Sequence, residues 1–319
     1  SMMNRFPEII RAGKKIGVAC HTFPDGDALG SVHAMVLALR QIGQEAYILT
    51  KDKVLDSLNF LPLTAETNES TAQVQAGTDL VLVLDCGNFD RVSFDQKTIG
   101  NTPMMILDHH KSNDKFGDFN HVDPTASATG EIIFDLTGLL GVTLTKDIAT
   151  CLYTAITTDT GSFRFECTTQ RTLEIASILM GTGISHQEIA RKVFDEMPLN
   201  RIQLMGRALG SLQSFYDGKV NLMYLRDRDF TELALMDKDT GDIVNYGLAP
   251  QEAEVSMVLK EHDQKIRVSI RTKRKVDAGL FAEVFQGGGH IRAAGCTLLT
   301  PSFEEAQEML FRELEAYLY

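Results

Sequence analysis

Histidines and aspartates gather at four places in the first half of the sequence, each closing a stretch that reads as a strand or a helix. His21-Thr22-Phe23-Pro24-Asp25-Gly26-Asp27 crowds three metal-capable side chains together. Asp85 follows the aliphatic run Leu80–Leu84, and Asp108-His109-His110 follows Met104–Leu107. Asp159 ends a segment whose Ile148, Ala149, Leu152, Tyr153 and Ile156 share one helical face. A donor set rich in oxygen, with a few imidazoles and no thiolate, favours manganese or magnesium over a structural zinc site. Four aspartates and two histidines can surround two divalent ions, one carboxylate bridging them. Such a pair makes hydroxide from water near neutral pH and neutralises phosphoryl oxygens, which is the chemistry of phosphoester or phosphoanhydride hydrolysis. Each residue also has a plainer reading. Asp25 and Asp27 suit a helix cap, an aspartate after a strand suits a turn, the histidine pair can bond to backbone, and Asp159 can open a loop. Their joint occurrence at the ends of four elements favours the metal.

The elements that would position these groups follow from periodicity. Ile16–Cys20 is mostly apolar, as in a strand buried on both faces of a parallel sheet. Leu29, Val32, Val36 and Leu39 then recur at helical spacing, and Pro24 and Gly26 break the backbone between the two. Strand-like and helix-like segments continue to alternate, which predicts a parallel α/β sheet. Open sheets of that kind place ligands at the carboxyl ends of their strands. Gly161 is available to terminate the helix that delivers Asp159. Residues 116–129 read as a loop with a helix starting near Ser127. His33 reads as a packing or surface histidine, and Arg164 as a surface residue or one within reach of substrate.

A chain of 319 residues predicts two domains, with 44% hydrophobic and 23% charged residues typical of a globular protein. The boundary is expected near Glu196–Gln203, giving domains 1–196 and 197–319. No apolar run approaches the roughly 20 residues of a membrane span, and no leader follows Met2-Met3-Asn4. Ser1 has the look of a tag remnant. Five scattered cysteines without a C-x-x-C pair point to a reducing, cytoplasmic location. The net charge of -12 disfavours long nucleic acid, whose binding rests on neutralised phosphates.

In the second half, Val220, Leu222 and Tyr224 alternate, as do Ile266, Val268 and Ile270. Opposite the latter lie Lys265, Arg267, Ser269 and Arg271, a face that is either solvated or turned to phosphate. Gly287-Gly288-Gly289 lets backbone approach a ligand, or serves only as a flexible turn. The chain closes with a helix over 302–318, with Ser302 and Glu305 at capping-box spacing.

Taken together, His21-x-x-x-Asp25-x-Asp27, Asp85-Cys86-Gly87, Asp108-His109-His110 and Thr158-Asp159-Thr160-Gly161 resemble, in order, the four motifs of the DHH phosphoesterase superfamily. Gly287-Gly288-Gly289-His290 resembles the signature of its DHH-associated C-terminal domain. The resemblance implies an α/β fold: an N-terminal parallel-sheet domain with helices on both faces, and a smaller C-terminal α/β domain with a mixed sheet. It implies one metal on His21, Asp25 and Asp85, and a second on Asp27, Asp85, His109 and Asp159. His110 would face the scissile phosphate as a hydrogen-bond donor, Asp108 would orient one of the metal ligands from behind, and Asp85, as the bridge, would complete the catalytic set. Arg271, Gly287, Gly288, Gly289 and His290 would hold substrate. Manganese is the implied cofactor, two ions, with magnesium or cobalt as substitutes.

The two-domain form, without membrane segments or a Ser-Arg-Lys-Lys motif, is similar to the nanoRNase and pAp-phosphatase group. That implies degradation of very short oligonucleotides to mononucleotides, with pAp 3′-phosphatase activity, in a cytoplasmic protein that is a homodimer. The alternatives are a soluble phosphodiesterase for c-di-AMP or pApA and, from another class, a non-catalytic nucleotide sensor.

Overall fold

The aliphatic run Leu80–Leu84 is the middle strand of a five-stranded parallel sheet in the computed structural model, which describes residues 2–68 and 71–319. The strands are β1 (Lys15–Ala19), β2 (Glu45–Ile48), β3 (Leu80–Leu84), β4 (Met104–Asp108) and β5 (Phe119–Val122), in the order β2-β1-β3-β4-β5. β1 has β2 on one side and β3 on the other, so the sheet changes direction between β1 and β3. That is the switch point at which such sheets open a crevice.

Alternation in β3 explains why the sheet has two cores. Leu80, Leu82 and Leu84 point into a large cluster with the helices, and Val81 and Val83 into a smaller one. The helices are α1 (Phe6–Ala12), α2 (Gly26–Gln41), α3 (Thr129–Leu139), α4 (Lys146–Asp159), α5 (Gln170–Met180) and α6 (His186–Ala190), the last continuing as a π-helical turn. All six contribute their buried apolar residues to the larger cluster. The helices expected on both faces are therefore distributed unequally. The second face is covered by Val92, Phe94, Phe89 and Ile99, carried on loops and the short 3-10 turns Phe89–Arg91 and Gln96–Thr98. The reason is local: the connection from β3 to β4 is rich in Asp and Asn and lacks an apolar helical repeat.

The first unit ends at Glu196, and the second runs Met197–Tyr319. The second opens with α7 (Leu199–Gly210) and contains β6 (Gln213–Phe215), β7 (Val220–Leu225), α8 (Asp227–Thr231), β8 (Val255–His262), β9 (Lys265–Thr272), α9 (Ala278–Glu283), β10 (Gly288–Gly289), β11 (Ala293–Leu298) and α10 (Phe303–Leu318). Its six-stranded sheet has the order β10-β11-β9-β8-β7-β6 and is mixed, only β7 and β8 being parallel. Ile266, Val268 and Ile270 of β9 face a core shared with α9 and α10, while Lys265, Arg267, Ser269 and Arg271 take the other side. Ser302 caps α10 by accepting from the Glu305 N–H, but the reciprocal half of the box is absent. The Glu305 carboxylate instead accepts from the Thr300 hydroxyl. Among the described residues no helix is long and apolar enough to cross a membrane.

Candidate active site

Three strand ends and two helix ends of the first unit meet at the carboxyl edge of its sheet. Asp25 caps α2, its Oδ1 accepting from the Ala28 N–H at 3.0 Å. Asp27, in the first turn, is completely buried. α2 can carry both carboxylates close to α4 because Gly26 and Gly30 face it: a Cβ at Gly26 would strike the Thr158 side chain, and one at Gly30 the Cys151 carbonyl. Asp159 ends α4, where Gly161 at φ 55° stops the helix as its sequence suggests.

Asp85 directly follows β3 with φ 59°, a left-handed conformation that costs a non-glycine residue about 1–2 kcal/mol. The turn directs its carboxylate, 2% exposed, into the cluster. His21 Nε2 lies 3.7 Å from Asp25 Oδ1 and 3.6 Å from Asp85 Oδ2. His109 Nε2 lies 3.0 Å from Asp159 Oδ2, 3.5 Å from Asp27 Oδ2 and 3.6 Å from Asp85 Oδ1.

The imidazoles are oriented alike. His21 Nδ1 is 2.7 Å from the Thr22 carbonyl, and His109 Nδ1 is 3.2 Å from that of Ala126. Each Nδ1–H thus donates to backbone and turns Nε2 toward the carboxylates, the orientation a metal ligand requires. His109 Nε2 is buried and makes no hydrogen bond of its own.

Charge in the cluster is out of balance. Burial, followed by the charges of Asp85, Asp159 and Asp25, pushes Asp27 well above the usual carboxylate range. Burial also raises Asp85, and Asp25 and Asp159 act in the same direction. Burial opposes a charge on His21, yet Asp25 and Asp85 outweigh it and raise the ring to about 10. The same contest, with Asp159 as the principal partner, raises His109 to about 9. Such a site calls for positive charge, and divalent cations fit its donors. His21, Asp25 and Asp85 converge as one group, and Asp27, His109 and Asp159 as another.

Asp108 is turned to a different task. Its Oδ1 accepts from His110 Nδ1 at 2.7 Å and from the His109 N–H at 2.8 Å, while Oδ2 accepts from Asn113 Nδ2 at 2.8 Å. Burial works against its charge, but these hydrogen bonds keep its pKa below the ordinary value, and the carboxylate in turn raises His110. The His110 ring is 48% exposed and so is presented outward on a fixed carboxylate.

Two residues at the site were not singled out from the sequence. Asn113 joins Asp108 to the Cys86 carbonyl at 3.0 Å. Thr129, the first residue of α3, donates its N–H to Asp27 Oδ2 at 2.9 Å and its hydroxyl to Asp85 Oδ1 at 3.1 Å, with the Gly130 N–H adding 3.0 Å to Asp27 Oδ1. The only signal was a helix start in Ser127-Ala128-Thr129-Gly130. The helix begins at Thr129, while Ser127 bonds to the Glu131 carboxylate. His33 is buried away from the cluster, and exposed Arg164 is anchored by Nε to the Gly161 carbonyl at 2.7 Å.

The remaining residues expected at the site lie in the second unit. Arg271 pairs in register with Ala293, and His290 closes a tight turn with that same residue, which brings the two to one end of β11. Nη1 of Arg271 donates to the Ile270 carbonyl at 2.9 Å, and the His290 side chain is exposed. Gly287 and Gly289 are required by packing, since a Cβ at either would strike β11 backbone. At Gly288 a Cβ would meet nothing, so folding does not account for that glycine.

Residues 15–156 match the DHH family, N-terminal domain, and residues 229–317 match the DHHA1 domain. The bifunctional oligoribonuclease and PAP phosphatase NrnA of Thermus thermophilus is 34% identical, with 98% of this chain and 93% of that protein covered. Its namesake from Bacillus subtilis is 31% identical, with 91% and 90% covered. An exopolyphosphatase-related protein from Bacteroides fragilis, of known crystal structure, is 26% identical with a TM-score of 0.88, covering 99% of this chain and 96% of that one. With such similarity along nearly its whole length, and with a DHH triplet closing β4 at the point where the carboxylates converge, the chain belongs to the DHH family of phosphoesterases.

Proposed function

We propose that this protein is a divalent-metal-dependent phosphodiesterase that removes mononucleotides from very short oligonucleotides and also takes the 3′-phosphate from pAp. The observation that carries the reading is the convergence of two Nε2 atoms, each fixed by a backbone carbonyl at Nδ1, on the buried carboxylates Asp85 and Asp27 from separate elements. The names of the two NrnA relatives support the choice of substrate. His21, Asp25 and Asp85 would hold one ion, and Asp27, Asp85, His109 and Asp159 the other, with manganese as the preferred metal. Bound there, the ions would lower the pKa of a water to yield hydroxide and neutralise the phosphoryl oxygens.

The chain's own part is positioning. Asp108 would hold His110 for donation to a phosphate oxygen, and Thr129 would hold Asp27 and Asp85 in place. In the second unit, Arg271, His290 and the exposed backbone at Gly288 offer donors to a second phosphate of the substrate. Five unpaired cysteines fit a cytoplasmic enzyme.

The test is manganese-dependent product release from RNA of two to five nucleotides, a long RNA, pAp, pApA, c-di-AMP and pyrophosphate. Preference for the short RNAs together with pAp cleavage is expected. Cleavage confined to pApA or c-di-AMP overturns the substrate assignment, and no cleavage of any kind overturns the enzyme.

A further inference from the structure

Phe23 stands between two residues of the cluster, two positions after His21 and two before Asp25, and yet contributes nothing to it. Its side chain is 88% exposed, more than any other phenylalanine among the described residues. Its φ is 52°, a conformation that is a true outlier for a bulky residue. The strain is held from both sides. The Phe23 N–H donates to Asp52 Oδ2 at 3.0 Å, and the preceding Thr22 N–H donates to the Arg91 carbonyl at 2.7 Å. Stability would be better served by glycine or asparagine at this φ, and an exposed ring adds nothing to the core. A strained residue beside a reactive cluster points to use of the side chain it presents.

The surroundings say what that use is. Phe23 and Pro24 line a cavity of about 370 Å³ with Leu55, Lys51, Asp52 and Lys53. The lining therefore combines apolar and aromatic groups with two lysines and one aspartate, a combination that suits a flat ring carrying a phosphate. Two residues of chain reach at most about 7 Å, comparable to the span from phosphate to base within one nucleotide.

We infer that Phe23 is a stacking platform for a nucleobase of the substrate, with Leu55 flanking the base and the ring set beside the cluster that receives the phosphate. The inference rests on the phosphodiesterase reading for the nature of the ligand and names the base contact that reading lacks. Stacking of this kind tolerates any base, because every base offers a π face.

The protein contains no tryptophan, so Phe23→Trp installs a single fluorophore at the platform. The manganese-loaded variant is titrated with AMP and with ribose 5-phosphate. Quenching by AMP but not by ribose 5-phosphate is expected; equal responses, or none to AMP, overturn the inference. In parallel, Phe23→Ala is expected to raise KM for a dinucleotide about 5- to 50-fold with little change in kcat, as loss of stacking does. Phe23→Tyr should restore the KM, and a dinucleotide lacking the base should show no difference between wild type and Phe23→Ala. An unchanged KM in Phe23→Ala also overturns the inference. Phe23→Gly, which relieves the positive φ, should melt at or above the wild-type temperature while sharing the raised KM, which separates lost binding from misfolding. If the wild type hydrolyses no oligonucleotide, the phosphodiesterase reading fails, while the fluorescence comparison still decides the stacking.

Discussion

The hydroxyl of Thr129 donates to the Asp85 carboxylate across 3.1 Å, tying the first turn of α3 to the strained end of β3. With its N–H on Asp27, this one residue steadies two carboxylates from different elements. Partners of metal ligands that do not touch the metal typically matter by about 10–100-fold in affinity or activity. Thr129→Val keeps the shape and removes the hydroxyl, so it is expected to weaken manganese binding by about that factor, while Thr129→Ser should bind nearly as well as wild type. Calorimetric titration of the metal-free protein checks this, and equal affinity of the Val variant would count against the positioning role.

His110 and Asp108 should separate cleanly from the metal donors. Removing a single donor to the reacting phosphate typically costs about 10²–10³ in kcat, and His110→Ala is expected to fall in that range with manganese affinity changed only a few-fold. Asp108→Asn should lose less, because the neutral amide can still accept from His110 Nδ1. By contrast, Asp85→Ala and His109→Ala should lose both metal binding and turnover. Turnover numbers measured beside metal titrations distinguish the two groups.

The surroundings of two helical glycines, one in each unit, predict opposite signs for their replacement. A methyl group at Gly30 would be driven into the Cys151 carbonyl of α4, so Gly30→Ala should destabilise the fold by about 1–3 kcal/mol. Gly206 lies inside α7 with open space at its Cβ. Gly206→Ala should stabilise by about 0.5–1 kcal/mol through backbone entropy alone. Thermal or urea melts of the two variants give both signs, and a Gly30→Ala protein as stable as wild type would contradict the close helix approach.

His33 predicts a pH dependence. Burial lowers its pKa to about 4 from 6.5. The neutral ring alone satisfies its neighbours: Nδ1 accepts from the Leu63 N–H at 3.3 Å, and Nε2 donates to Thr67 Oγ1 at 3.0 Å. Between pH 6.5 and 4 the unfolded chain takes up a proton at this position that the folded chain refuses. Stability from this group is therefore complete above about pH 6.5 and is lost as pH falls to about 4, by at most about 3 kcal/mol. Replacing His33 with Gln should remove that part of the slope in urea melts at pH 5 and 7. An identical slope would mean that the ring is not held neutral.

Much of this protein was legible from its chain. Leu80–Leu84 reads as a strand covered on both faces because its apolar run is short and unbroken, and Ile148 to Ile156 as a helix because its apolar residues recur at the 3.6 period. The convergence of Asp and His was legible for a related reason: they stand where apolar elements stop, and parallel strands deliver their carboxyl ends to one edge.

Other features were decided only by the tertiary structure. Thr129 looks like an ordinary helix start until α3 is packed against α2 and β3, when its two donors meet Asp27 and Asp85. That Val92 and Phe94, far apart from β1 and β2 in the chain, cover the second face of the sheet is likewise seen only once the strands are assembled. Phe23 is one of the three intervening residues of His21-x-x-x-Asp25, to which the sequence assigns no role. Its positive φ is held by its own N–H on Asp52 and by the Thr22 N–H on the Arg91 carbonyl, partners distant along the chain. Local sequence carries the periodicity of burial; which donor meets which acceptor across elements depends on packing, and no local pattern encodes it.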